Sequence, residues 1–88
     1  MRITPTQHCK NEWSRMAQAA YSKGFNSIGH TYSTAASLPN AGTLPIALYD
    51  SLQADYRAWL IGGTMLAAAR SVTEDAGRYA AVNRSAYA

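Results

Sequence analysis

His8, Cys9 and Glu12 stand close together near the start of the chain, and the second histidine, His30, lies further along. Residues four apart share one face of an α-helix, so His8 and Glu12 place an imidazole beside a carboxylate, the beginning of a metal site. A zinc site wants three or four ligands, and neither a paired-cysteine motif nor the His-Glu-x-x-His pattern occurs. The pair reads instead as surface chemistry, with Cys9 as a small buried hydrophobe, so neither a metal nor a cofactor is expected. A thiol nucleophile at Cys9 needs a base. His8, its neighbour, points about 100° away around a helix, which leaves only His30, and only if the fold brings it close. No oxyanion site is signalled, and Gly62-Gly63 lacks the context of a phosphate-binding loop. The expectation is a protein that is not an enzyme.

The composition narrows the class. Charged residues are sparse, the net charge is +3, and the cations are scattered with no adjacent run. That balance permits nucleic-acid contact without demanding it. The single cysteine excludes an intramolecular disulfide, and the opening residues do not read as a secretory leader, so a reducing, cytoplasmic setting is expected. The most apolar window, Leu60 to Ala69, is too short to span a bilayer, and no membrane partner is expected. Residues 1–88 should form one domain with a thin, alanine-rich core whose volume comes from two Trp, six Tyr and one Phe. A core of this kind suits stability completed by a partner.

Periodicity predicts an all-α fold, a small bundle of four to five short helices. The stretch Thr43–Ala69 looks like its organiser, because Tyr49, Leu52, Tyr56, Trp59 and Leu60 draw one stripe along a helix over about 45–61, opened by Thr43. A first helix is predicted over 5–23, with Thr4 as cap, Pro5 at the first helical position and Gln7 closing a capping box. Its inward face would be Cys9, Trp13, Met16, Ala17, Ala20 and Tyr21, with Lys10 turned outward. Gly24 supplies the stop. Asn26 would cap a weaker helix over 27–37 that buries Ile28, Tyr32 and Ala35, followed by a turn over 38–42. Gly62-Gly63 is read as a break, with Thr64 capping a short helix over 65–70. Ser71-Val72-Thr73-Glu74 is a second capping box, opening a helix over 72–83 that buries Val72, Ala76, Tyr79, Ala80 and Val82. Residues 84–88 should fray. No strand alternation is visible.

Two resemblances bear on function. Ala20-Tyr-Ser-Lys-Gly24-Phe25-Asn26-Ser27 resembles the centre of a helix-turn-helix, in particular the Ala-x-x-x-Gly-Phe-x-Ser segment of transcription activators of the arabinose-regulator type. It implies a reading helix after Asn26, with Ser27, His30 and Thr31 near bases. No Arg or Lys occurs between Lys23 and Arg57, however, and a reading helix without cations is poorly equipped to hold phosphates. The opening Thr4-Pro-Thr-Gln-His-Cys-Lys-Asn-Glu-Trp13, the Tyr56-Arg-Ala-Trp-Leu60 segment and the small helical format resemble short accessory proteins of bacteriophages. Some of these are anti-defence inhibitors, including anti-CRISPR proteins, which cover a surface of a host complex. The leading expectation is therefore a non-enzymatic protein-binding module, a phage-type inhibitor of a larger host protein or ribonucleoprotein complex. Arg15, Lys23, Tyr32, Arg57, Arg78 and Tyr87 are its expected contacts, as exposed cations or aromatics. The alternative is a small DNA-binding regulator. The sequence leaves the oligomeric state open.

Overall fold

A computed structural model describes the backbone of residues 1–62 and 72–87, and the side chains over 1–62 and 77–85. The order is β1 (Arg2–Ile3), α1 (Gln7–Ser22), α2 (Asn26–Ala36), β2 (Leu44–Pro45), α3 (Ile46–Gly62) and α4 (Val72–Tyr87). The fold is all-α, as the periodicity implied. The break at Gly62-Gly63, the helix over 65–70 and the capping box at 71–74 lie outside the described residues or their described side chains. No helix among the described residues is long and apolar enough to cross a membrane.

The chain begins with a short clasp. Arg2 pairs with Pro45 and Ile3 with Leu44 in an antiparallel two-residue ladder. The ladder is extended where Ile46 N–H donates to the Met1 carbonyl at 3.1 Å. Arg2 reinforces it, its Nε donating to Thr43 Oγ1 at 2.7 Å and its Nη2 to the Thr43 carbonyl at 2.9 Å. Thr43 is thus occupied by Arg2, and α3 begins three residues after it instead of being capped by it.

The clasp also resets the start of α1. Residues 2–3 are held extended, and Thr4, which precedes a proline, is biased the same way. Pro5 is buried outside the helix, and Thr6 becomes the cap, its Oγ1 accepting from Cys9 N–H at 3.0 Å. Gln7 bonds Asn11 across one turn instead of closing a box. At the other end Gly24 adopts φ +82°, the left-handed conformation open to glycine. Phe25 N–H then reaches the Ala20 carbonyl at 2.9 Å and Gly24 N–H the Tyr21 carbonyl at 3.1 Å. This pair of bonds is the Schellman closure, and it sends the chain directly into α2.

The hub is α2 rather than α3. It packs against α1 on one side and α4 on the other, while α3 meets α4 and the clasp. This helix looked weak in sequence because of its Ser, Thr and Gly, and Asn26 makes no cap bond. Packing overrides that weakness: Ile28, Gly29, Thr31, Tyr32 and Ala35 are buried. The hydroxyls also turn back on the helix, Thr31 Oγ1 donating to the Ser27 carbonyl and Ser37 Oγ to the Ser33 carbonyl.

Large side chains bridge α1 to α3. Trp13 is fully buried, edge-on to Tyr32 and Tyr49, and its Nε1 donates to Gln53 Oε1 at 2.8 Å. On α3, Leu52 and Tyr56 are buried, Tyr49 and Trp59 pack partly against the core, and Leu60, expected inside, is 58% exposed. On α4, Val82 is buried as predicted, but Tyr79 and Ala80 are exposed, and Arg78 takes an inner position instead. The helix runs through Tyr87, beyond the end expected at 83.

Candidate interaction surface

Of the residues singled out for chemistry, Cys9 is taken into the fold, buried on the α1 face that meets α3. Burial pushes its thiol above the ordinary range, with a contribution from the Glu12 carboxylate, against a hydrogen bond with Tyr49 that pulls the other way. Tyr49 is raised in turn by its own burial and by Cys9. A thiol held protonated is a poor nucleophile. The structure does not pair it with His30, whose ring lies against Tyr21 and Tyr79.

His8 and Glu12 do meet, Nε2 to Oε1 at 3.3 Å, with His8 largely in solvent. The Tyr56 hydroxyl is pushed up to about 12, first by its burial and then by the Glu12 carboxylate. No group of three His, Cys, Asp or Glu able to hold a metal forms among the described residues.

Lys10, expected on the outer face, is buried. Its stem runs under the turn after α2 and its Nζ donates to the Leu38 carbonyl at 3.0 Å. The ammonium thus sits close beyond the C-terminal end of α2, where the helix dipole favours a cation.

Three expected contact residues change status. Tyr32 is fully buried and donates its hydroxyl to the Leu52 carbonyl at 2.6 Å, so it belongs to the core that joins α2 to α3. Arg78 is drawn inward by Asp55 at 2.6 Å and lies over the Tyr32 ring at 6.0 Å. Thr31, expected near bases, is buried with its hydroxyl on the Ser27 carbonyl, because it faces the packed side of α2. Arg15, Lys23, Arg57, Ser27 and His30 are exposed. The side chain of Tyr87 lies outside the described ones.

One cluster was missed in sequence. Tyr21, assigned to the interior, is 39% exposed and lies flat over Gly29, where a Cβ would stand 2.5 Å from the ring. Its hydroxyl lies 2.9 Å from His30 Nδ1, with ring centroids 5.5 Å apart. His30 reaches in turn to Tyr79 on α4, at 6.0 Å between centroids. Tyr79 and Phe25, which sits at the α1–α2 junction, are each more than a third exposed. Three helices thus contribute to one outward-facing aromatic surface with Lys23 at its border in sequence. The sequence signal was the spacing Tyr21–Phe25–Gly29, which reads equally well as buried. The chain matches no protein-family model, and comparison with curated proteins and with solved structures gives no match.

Proposed function

We propose that the protein is a non-enzymatic binding module that acts by docking its Tyr21–His30–Tyr79 surface onto a larger protein or ribonucleoprotein assembly, in the manner of a phage-type inhibitor. The observation that carries this reading is the set of rings left partly in solvent while Trp13, Tyr32 and Tyr56 are taken into the core. Tyrosines that are exposed yet held in place lose little freedom on binding, which is why such residues concentrate interface energy. The buried, protonated thiol and the committed Lys10 support adhesion over catalysis.

The test is capture from bacterial lysate with tagged wild-type protein and with a Tyr21→Ala/Tyr79→Ala variant shown to be folded by circular dichroism. A stoichiometric protein retained by the wild type and lost from the variant supports the reading. Equal retention by both, or no stoichiometric protein from any defence-bearing host, overturns it.

A further inference from the structure

We draw no further inference here: the strongest candidate, the outward aromatic face that Tyr21, His30 and Tyr79 form across α1, α2 and α4, belongs to the site already described, and nothing in the structure shows what covers it.

Discussion

Gly29→Ala measures whether Tyr21 is fixed where the structure places it. In an open helical position the change should stabilise by about 0.5–1 kcal/mol, because glycine loses more freedom on folding than alanine. Here the new methyl would lie 2.5, 2.7 and 2.8 Å from three atoms of the Tyr21 ring. The ring must withdraw by about 1 Å or more to restore ordinary carbon–carbon contact. Withdrawal loosens the hydroxyl–His30 bond and the edge-on ring contact, each worth about 0.5–1.5 kcal/mol, toward the lower end at a partly exposed site. Gain and loss should nearly cancel, leaving Gly29→Ala between neutral and about 1 kcal/mol destabilised. In a Tyr21→Ala background the obstacle is gone, and the same change should recover its full benefit. Urea unfolding of the wild type, both single variants and the double variant therefore should show a coupling of about 1–2 kcal/mol. Additivity within about 0.5 kcal/mol would refute the packing of Tyr21 on Gly29 and remove the ordered surface on which the functional reading stands.

Three further outcomes follow from the interior. Thr6→Ala should cost about 1 kcal/mol, or roughly 4–8 °C in Tm, whereas Thr4→Ala should cost much less; equal costs would return the cap to Thr4. Lys10→Met keeps the buried stem and discards the charge, so it should stay within about 1 kcal/mol of the wild type, while Lys10→Ala loses about 2 kcal/mol or more by urea titration; the reverse order would place Lys10 in solvent. Tyr56 is raised from 10.0 to about 12 in the folded protein, so its contribution is complete below pH 10 and drains away as pH climbs through 12. Stability measured between those limits should fall more steeply for the wild type than for Tyr56→Phe, and parallel curves would sink the burial argument.

Much of the helical framework was legible because it rests on local rules. Gly24-Phe25 announced the end of α1, since only glycine adopts the required left-handed backbone freely, and the Cys9–Trp13–Met16–Ala20 spacing located its buried face. What sequence reasoning missed depends on partners distant along the chain. Two-residue strands carry no alternation, so Arg2–Ile3 and Leu44–Pro45 gave no signal until paired, and their pairing moved the cap from Thr4 to Thr6. Lys10 reads as a surface residue by type, but a carbonyl beyond the end of α2 draws it in. Tyrosine is ambiguous by nature: Tyr21, placed inside, comes out because Gly29 leaves room above it for a ring, while Tyr32, read both as part of the buried face of α2 and as a contact, is taken inside, where Leu52 offers an acceptor deep in the core. That ambiguity hid the candidate surface, since two of its members, Tyr21 and Tyr79, had been assigned to the interior and a core residue had been offered as a contact.

The clasp makes the opening residues latecomers to folding. Arg2 and Thr43 stand 41 positions apart, so α1 and α2 emerge from the ribosome and can pair through their tight junction before the opening residues have anything to grip. Closing so long a loop is entropically slow and yields only a few main-chain bonds, and it should therefore follow the helical hairpin instead of seeding it. The first three residues then work like a buckle fastened last, cinching the start of α3 onto a hairpin that has already taken shape.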